Sequence, residues 1–315
     1  MEKMRTLLLS PPDWLTPADI ERLRASCDIE YHEVPGPLSE EQILSYLNGH
    51  ELLLLEYDIA PKLSPGFYAH PAVRALKALS SDVTGMDWAS PAAAASIGLP
   101  LLHVPNYSTA AVAETILTEA LLHAHQRHAS YQDQLAGRTP LARQGRMIST
   151  STVGIIGLGD IGKESARLFG ALGAKVLCWS RTPREGYACV SLPELFSRCD
   201  VLVLCTKTVH DGPDRNVGFI NDDLLSLCQD AIFINLSRAE LVDPVALRHA
   251  LDQGNIAGYS IDEPIGVKDL EADPRVHLSP HDGWYTQESL DALRQIWVDT
   301  ALSFTTGHPI NVYVD

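Results

Sequence analysis

The sequence predicts an α/β protein of two domains, one of which is built on a doubly wound parallel sheet. From residue 151 onward, short apolar runs of strand length alternate with segments of helical spacing, a pattern typical of parallel strands joined by helices. A glycine-rich turn, GLGDIG (157–162), lies between the first of these strands and the helix that follows it. The length of 315 residues suggests two domains, at roughly 150 residues each.

The alternating elements of the second half can be placed in order. The segment 151–173 is predicted as strand, glycine turn and helix. Further strands are expected at 174–180, 200–206, 231–237 and 256–262, with helices at 192–199, 222–229 and 243–254. Because helices separate the successive strands, we expect a parallel sheet of the Rossmann type with helices on both faces.

The first third and the C-terminus have the composition of a second, smaller α/β unit. Apolar runs at 5–10 and 51–56 predict strands, and GLPLLHVP (98–105) predicts a strand and a loop. Helical spacing predicts helices at 38–47, 73–79 and 286–307. Ser39 and Thr286 stand where the helix N-caps of the first and last of these are expected.

The alanine-rich stretch 108–128 contains almost no helix-breaking residue and predicts one long helix. His123, His125 and His128 on it raise the question of a metal site. Their offsets of two and five residues do not place them on one helical face, so the sequence predicts no metal site and favours a polar or interface helix.

Charge and cysteine usage exclude several classes of partner. The formal net charge of −16 argues against nucleic acid and against an anionic membrane, both of which need a basic face. No apolar run approaches the roughly 20 residues of a membrane span. The six cysteines form no CxxC pair, and reduced thiols in a cytoplasmic protein are expected.

The glycine turn predicts a dinucleotide site because a strand precedes it and a helix follows it. Gly157 permits a tight turn, Gly159 lets a pyrophosphate approach the backbone, and Gly162 lets the helix lie close to the strand. Asp160 and Ile161 begin the helix, whose free N–H groups attract an anion. An ordinary βα turn is the alternative interpretation, and the strand–turn–helix context favours binding.

The end of the second strand of this domain indicates which dinucleotide binds. Enzymes that use NAD carry an acidic residue here for the ribose 2′-hydroxyl, whereas this chain has Ser180, Arg181 and Thr182, with Arg184 nearby. A hydroxyl and a guanidinium suit a 2′-phosphate, so NADP is predicted over NAD. The alternative is that Arg181 only stacks on the adenine, as it can in an NAD enzyme.

Further motifs carry a resemblance to a known family. INLSRAELVD (234–243), IDEPIG (261–266) and LSPHDGW (278–284), together with GLGDIG and NYSTAAVAE (106–114), resemble the D-2-hydroxyacid dehydrogenase family, and in particular its glyoxylate/hydroxypyruvate reductases. The resemblance covers most of the chain and is strongest from about residue 100 to 285.

The resemblance implies three catalytic residues. Arg238 would pair with the substrate carboxylate and polarise the keto oxygen, a task that suits a planar guanidinium. His281 would exchange a proton with the C2 oxygen, and an imidazole is suited to both directions. Glu263, 18 residues before His281 as in the family, would hydrogen-bond the other imidazole nitrogen.

The resemblance also implies contacts with the substrate and the cofactor. The N–H groups of Thr84 and Gly85 would hold the substrate carboxylate, Asp262 would lie near the nicotinamide carboxamide, and Thr206 would line the cofactor site. HDGWYT (281–286) departs from the family after the histidine, and Trp284 and Tyr285 in it are expected to close the pocket around a larger or aromatic substrate.

Three further departures from the family pattern are visible. Asp262 and Glu263 are adjacent, whereas about four more residues usually separate the corresponding pair, so Glu263 has the weakest support of the three catalytic assignments. Ala239 replaces the usual glycine after the arginine. VHDGPDRN (209–216) replaces a loop usually built around Pro-Leu-Thr.

The resulting hypothesis is a reversible hydride transfer between NADP(H) and a 2-oxo acid or D-2-hydroxy acid. The cofactor domain is placed at 104–283, and a discontinuous, flavodoxin-like substrate domain at 1–103 and 284–315. The segment 108–145 resembles the dimer arm of the family and implies a homodimer. Two alternatives stay open: a dinucleotide-sensing binding protein without turnover, and a family dehydrogenase acting on a substrate that is not a hydroxy acid. Formate dehydrogenases of this type carry glutamine where Glu263 stands, which counts against that version of the second alternative.

Overall fold

The computed structural model describes residues 3–138, 143–182 and 184–314. The chain divides into two compact units. We call Met1–Ser108 with Thr286–Asp315 the terminal unit, and Thr109–Tyr285 the central unit. The limits expected from the sequence, after residues 103 and 283, differ from these by five and two residues. Residues 139–142, part of the predicted dimer arm, lie outside the described residues.

The terminal unit contains a five-stranded parallel sheet. Its strands are β1 Met4–Ser10, β2 Cys27–Glu33, β3 Leu52–Leu55, β4 Ala78–Ser80 and β5 Leu101–Leu102. They lie in the order β2-β1-β3-β4-β5, which is the flavodoxin-like order. Its helices are α1 Pro17–Ser26, α2 Glu40–Tyr46, α3 Pro65–Ala69, α4 Pro91–Ser96 and the C-terminal α12 Gln287–Thr305.

The inner strands of this sheet consist of continuous apolar runs. The four leucines of β3 are at most 1% exposed, as expected for a parallel strand covered on both faces. Ser39 caps α2 and Thr286 caps α12, as the sequence predicted. In α12, Trp297 is buried and its indole N–H donates to the Ser80 hydroxyl (3.1 Å), which ties the last helix to β4.

The prediction of a helix at 73–79 was wrong. A short 3₁₀ helix, Pro71–Ala75, is followed by β4, which pairs with β3 on one side and β5 on the other. The seven-residue run VRALKAL fits either structure by its spacing, and strand pairing decided the outcome. The edge strand β2, whose sequence CDIEYHE is largely polar, was not predicted.

The central unit contains a six-stranded parallel sheet. Its strands are β6 Thr152–Ile156, β7 Lys175–Trp179, β8 Val201–Leu204, β9 Ala231–Asn235, β10 Ile256–Ile261 and β11 Val276–Leu278. Their order is β11-β10-β9-β8-β6-β7. Beyond the edge strand β7, where a Rossmann sheet has a further strand, Cys189 forms a single parallel β-bridge with Cys178 of β7. The predicted doubly wound α/β class is confirmed.

Seven helices of the central unit are described. They are α5 Thr109–Ala124, α6 Arg127–Leu135, α7 Asp160–Ala171, α8 Leu192–Arg198, α9 Asp222–Leu225, α10 Pro244–Gln253 and α11 Lys268–Glu271. The single long helix predicted at 108–128 is instead two helices, because Gln126 adopts a left-handed conformation (φ 49°) between α5 and α6. Within the described residues, no helix is long and apolar enough to cross a membrane.

Candidate active site

The glycine turn follows β6, where the sheet order changes direction. Gly157 has φ +104°, and a Cβ there would lie 2.4 Å from the Cys205 carbonyl oxygen. A Cβ on Gly162 would lie 2.0 Å from the Gly157 carbonyl oxygen. Around Gly159 there is open space within 4 Å, so a ligand can approach its backbone. The two crowded glycines shape the turn, and the third leaves room for an anion.

Helix α7 begins directly after this open glycine. Gly159 is its N-cap and offers no side-chain acceptor to the first N–H groups of the helix. Asp160 and Ile161 occupy the first turn, and the Asp160 carboxylate lies on the surface, 3.9 Å from the Lys163 ammonium. Free N–H groups and the positive end of the helix dipole at this point fit the pyrophosphate of a dinucleotide.

Ser180, Arg181 and Thr182 follow the end of the edge strand β7. Ser180 is half-buried, whereas Arg181 and Thr182 are exposed. The Arg181 guanidinium pairs with the Asp214 carboxylate at 3.2 Å, and both side chains are largely exposed. Asp214 belongs to the loop 209–216 that sequence reasoning noted but did not connect to Arg181. The arginine is therefore held by an exposed ion pair of the kind that is weak and readily exchanged.

The loop after β8 presents two threonine hydroxyls without partners. In the described part of the chain, the hydroxyls of Thr206 and Thr208 are buried and make no hydrogen bond. The same loop is held by Asn216, whose side chain accepts from the Val209 N–H (2.7 Å) and donates to the Lys207 carbonyl (2.8 Å). Buried hydroxyls are rarely left unpaired, so these two are suited to contact a bound cofactor.

Arg238 lies three residues beyond the end of β9 and is exposed. The fully buried Asn235 holds its turn by donating to the Arg238 carbonyl (3.0 Å) and accepting from the Ser237 N–H (3.0 Å). The Ser237 hydroxyl in turn donates to the Leu204 carbonyl at 2.8 Å, which joins the turn to β8. The backbone of Arg238 is therefore fixed, and its exposed guanidinium donates to the carbonyl of the adjacent Ser237 (2.7 Å).

The prediction that Glu263 hydrogen-bonds His281 was wrong, because each of the two side chains has another partner. The Glu263 carboxylate accepts from the Ala239 N–H, directly after Arg238. His281 instead contacts the Asp262 carbonyl oxygen through Nδ1, at 3.1 Å. With Asp262 and Glu263 adjacent after β10, the Glu263 side chain reaches the neighbouring β9 turn.

His281 lies in a loop that Asp262 organises. The Asp262 carboxylate accepts from the Ser279 hydroxyl and from the N–H groups of Asp282 (3.0 Å) and Gly283 (2.9 Å). These bonds surround His281, which has the left-handed φ of 63°. Because a carbonyl oxygen only accepts, Nδ1 of His281 carries a proton, and Nε2 is left as the atom that exchanges one. Sequence reasoning assigned Asp262 only to the cofactor and missed this positioning role.

In the terminal unit, Thr84 and Gly85 lie in the loop after β4. The Thr84 hydroxyl donates to the Val104 carbonyl (2.9 Å), and the backbone carbonyl of Thr84 contacts Nδ1 of His103 (2.7 Å). Gly85 is exposed, and a Cβ there would meet only the Asp87 carboxylate, at 3.6 Å. The loop is thus held on one side and open at its glycine.

Two buried carboxyls lie beside this loop. Glu56 is 2% exposed and accepts from the N–H groups of Asp58 and Ile59; Asp82 is 4% exposed and accepts from the Tyr57 N–H and the Trp14 indole. Burial raises the pKa of Glu56 to about 7. Burial, and then the nearby Glu56 carboxylate, raise the pKa of Asp82 well above its usual range.

Trp284 and Tyr285 end the central unit. Their rings meet edge to face, with centroids 5.3 Å apart and planes at 86°. Trp284 is half-buried and Tyr285 is 61% exposed. An exposed tyrosine against a tryptophan offers an apolar surface for a substrate side chain.

A second polar cluster lies between α5 and β11. The Glu119 carboxylate contacts the Ser260 hydroxyl (2.7 Å) and Nδ1 of His277 (3.1 Å), and the Ser260 hydroxyl contacts Nε2 of His123 (2.9 Å). The imidazoles of His123 and His277 stack at 3.9 Å and 17°. Burial lowers the pKa of His123 to about 3, so this ring is neutral. The spacing of the three histidines on the predicted helix gave no sign of Glu119 and His277, which complete this cluster.

Comparison with known proteins agrees with this architecture. Residues 116–283 match the family model of the D-isomer specific 2-hydroxyacid dehydrogenase NAD binding domain. The chain is similar to a glycerate dehydrogenase of Methylorubrum extorquens, with 29% identity over 90% of this chain and 91% of the relative. It is also similar to a D-2-hydroxyacid dehydrogenase (NAD+) of Lacticaseibacillus paracasei, with 31% identity over 73% and 76%.

A solved structure of a D-2-hydroxyisocaproate dehydrogenase has the same fold along the whole chain. Its TM-score is 0.83 at 25% identity, over 98% of this chain and 99% of that one. The chain therefore belongs to the D-isomer specific 2-hydroxyacid dehydrogenase family, whose members are nicotinamide-dependent oxidoreductases of 2-hydroxy and 2-oxo acids.

Proposed function

We propose that this protein reduces a 2-oxo acid to a D-2-hydroxy acid with NADPH, and catalyses the reverse reaction. The observation that carries the proposal is the common edge of the sheet in the central unit. The glycine turn follows β6, Arg238 follows β9, Glu263 follows β10 and His281 follows β11. Carboxyl ends of parallel strands meet at one edge, which is where ligands bind in sheets of this type.

Arg238 binds the substrate in this proposal. Its guanidinium can pair with the carboxylate and donate to the keto oxygen at once, since the donors of an arginine form a planar fork. As hydride arrives at C2, negative charge grows on that oxygen, and a donor already in place stabilises it. Glu263 acts on Arg238 indirectly, because its carboxylate accepts from the N–H of Ala239, the residue after Arg238.

His281 supplies the proton in reduction and removes it in oxidation. Its Nδ1 is committed to the Asp262 carbonyl, so Nε2 is the atom assigned to the C2 oxygen. Asp262 holds the backbone on the C-terminal side of the imidazole through two N–H groups, those of Asp282 and Gly283. The ring is therefore positioned by the Asp262 carbonyl and by the bonds that hold its loop to Asp262, rather than by a carboxylate on Nδ1.

The backbone of the glycine turn and of the first turn of α7 would hold the cofactor pyrophosphate. The residues assigned to it are Gly157, Gly159, Asp160, Ile161 and Gly162. When bound, the nicotinamide supplies or accepts the hydride. Thr206 would contact the cofactor through its unpaired hydroxyl, and Asp262 remains the residue assigned to the carboxamide. Ser180, Arg181 and Thr182 would select NADPH, with Arg181 exchanging Asp214 for the 2′-phosphate.

In this proposal the N–H groups of Thr84 and Gly85 bind the substrate carboxylate. Trp284 contacts the side chain of the substrate. The half-buried Trp284 and the exposed Tyr285 packed against it favour a 2-oxo acid with an apolar or aromatic side chain over glyoxylate. A panel of 2-oxo acids graded by side-chain size, each with NADPH and NADH, tests this proposal. We expect reduced nicotinamide to be consumed with members of the panel, fastest with NADPH. The absence of turnover with every acid and both cofactors, while NADPH still binds, would instead favour a sensing protein.

We also propose a homodimer in the cytoplasm. Tyr131 and Leu135 of α6, in the predicted dimer arm, are large exposed apolar side chains, and so is Met147, two residues beyond the arm. All six cysteines are free, which suits a reducing compartment. Light scattering after size exclusion should give twice the mass of 34.4 kDa, and Leu135→Asp should shift it toward the monomer. A monomeric wild type would contradict the dimer.

A further inference from the structure

We propose that Glu119, His123 and His277 form a binding site for one divalent transition metal ion, with Zn²⁺ the best match. Glu119 and His123 are one helical turn apart on α5, so they share a face of that helix. His277 reaches the same point from β11. Their ligand atoms all lie within 4.8 Å of one another.

The ligand types and their spacing suit zinc. Two imidazoles and one carboxylate form a set that Zn²⁺ binds in proteins, with the fourth position left to water or another side chain. Bonds of about 2.0–2.2 Å place tetrahedral ligands about 3.4 Å apart, so small side-chain rotations close the site around an ion. Ser260 already donates to Glu119 and would orient it, as groups behind metal ligands do.

The charge of Glu119 lacks a permanent counter-charge. Its side chain is 22% exposed, and among the described residues its ion-pair partner is His277, which is charged only when protonated. This half-buried carboxylate and the two stacked imidazoles beside it are three groups of the kinds that bind a divalent cation. A divalent ion would neutralise the carboxylate and use the ring nitrogens as ligands.

A cavity of about 600 Å³ gives access to the cluster. His123, His128 and His277 line it, together with three arginines. Each arginine is already paired with a carboxylate: Arg143 with Asp133, Arg146 with Asp230, and Arg275 with Asp273. These ion pairs offset the positive charge of the arginines, so the cavity does not exclude an incoming cation. The His128 ring, 4.6 Å from that of His277, is the nearest candidate for a fourth ligand.

The competing explanation is a hydrogen-bonded network that never holds a metal. It accounts for the contacts of Ser260 with Glu119 and His123, and it predicts no stoichiometric metal binding. Metal titration of the full chain separates the two. The tag-free protein is stripped with a chelator, and Zn²⁺ and Co²⁺ are added in competition with a chromophoric chelator. The bound metal is then counted by elemental mass spectrometry.

We expect one equivalent of Zn²⁺ with Kd below about 1 μM, and a rise in the melting temperature on binding. Co²⁺ should give the visible absorption of a site with nitrogen and oxygen ligands. Glu119→Gln and His277→Gln should each abolish the tight equivalent, and Ser260→Ala should weaken it by about 10–100-fold.

The matched control is His249→Gln, which removes an exposed imidazole bonded to Asp222 (2.7 Å) in the same unit. It should retain the metal. Absence of a stoichiometric equivalent in the wild type would overturn the proposal. So would an equivalent that survives in both Glu119→Gln and His277→Gln. Because these variants are scored by metal content and by folding, the result does not depend on the dehydrogenase assignment.

Discussion

At the scale of single residues, Arg238 gives the sharpest test of substrate binding. Its side chain is exposed, its backbone is held by Asn235, and its guanidinium donates to the carbonyl of the adjacent Ser237, a local contact on which we expect the fold not to depend. Arg238→Lys keeps the charge but loses the planar fork, and kcat/KM should fall by about 10–100-fold, the worth of one charge-assisted hydrogen bond. The melting temperature should be unchanged. A variant that simply unfolds would show a structural role instead.

His281 is expected to affect the rate rather than cofactor binding. General acid catalysis contributes about 10²–10⁴-fold, so His281→Ala should lower kcat by that much. Affinity for the cofactor, measured by fluorescence of the bound reduced nicotinamide, should stay within a few-fold of wild type. His249→Ala, which alters an exposed imidazole, serves as the control and should keep full activity. Near-native turnover in His281→Ala would remove this residue from the mechanism.

The buried carboxyls of the terminal unit predict a pH-dependent stability. The pKa of Glu56 is raised from 4.5 to about 7, so the native protein holds a proton that the unfolded chain releases over this range. The free energy of unfolding should therefore fall as pH rises from 4.5 through about 7. Urea unfolding at pH 5 and pH 8 measures the fall.

Glu56→Gln should remove much of this fall and exceed wild-type stability at pH 8 by on the order of 1–2 kcal/mol. The control Glu41→Gln, at an exposed position of α2, should follow wild type. Equal slopes in wild type and Glu56→Gln would show that Glu56 is ionised in the native state.

At the scale of elements, local signals explain most of what the sequence predicted. The leucine runs of β1 and β3 and the strand–turn–helix around GLGDIG are short-range patterns, and the structure agrees with them. The segment 73–79 fits helix and strand equally, and its partners β3 and β5 lie elsewhere in the chain. The left-handed residue Gln126, which breaks the predicted long helix, has no local signal in its identity.

In the candidate site, too, the sequence predicts some residues and not the contacts that they make. Motif residues such as Arg238 and His281 can be found from the sequence, because each follows a strand in a recognisable stretch. Their partners could not be found: Glu263 contacts Ala239, Arg181 pairs with Asp214, and His277 joins a cluster on α5. These are contacts between residues far apart in the sequence, and periodicity does not encode which distant segments meet.

Two glycines at the start of helix α7 are expected to have different roles, Gly162 in the fold and Gly159 in cofactor binding. Gly162→Ala would place a Cβ 2.0 Å from a backbone oxygen, so the protein should lose about 1–3 kcal/mol of stability. Gly159→Ala meets open space at a φ of −72°, so the fold should be intact while NADPH affinity falls by about tenfold or more. Calorimetry and ligand titration measure both.

Gly170→Ala is the control in the same helix, because its Cβ also meets open space and its position is exposed. It should leave NADPH affinity unchanged and stability equal or slightly higher, by up to about 1 kcal/mol. If Gly159→Ala binds NADPH as tightly as Gly170→Ala does, the pyrophosphate does not lie on this turn.

At the scale of the whole molecule, the choice between NADPH and NADH is tested at the end of β7. Arg181→Ala should weaken NADPH by about one to two decades and leave NADH within a few-fold. Asp214→Asn should tighten NADPH, because Asp214 occupies the arginine and repels a phosphate. Ser180→Asp should shift the preference toward NADH. If Arg181→Ala weakens both cofactors alike, the guanidinium only stacks on the adenine.

The central claim is that hydride passes from NADPH to C2 of a 2-oxo acid and yields the D-2-hydroxy acid. The direct measurement uses NADPH deuterated at either face of nicotinamide C4, with the best acid of the panel and the purified full chain. Product is resolved on a chiral column and weighed by mass spectrometry. We predict D-2-hydroxy acid carrying one deuterium at C2 from one of the two labelled cofactors. An L product, or a product without deuterium from either cofactor, would contradict the account.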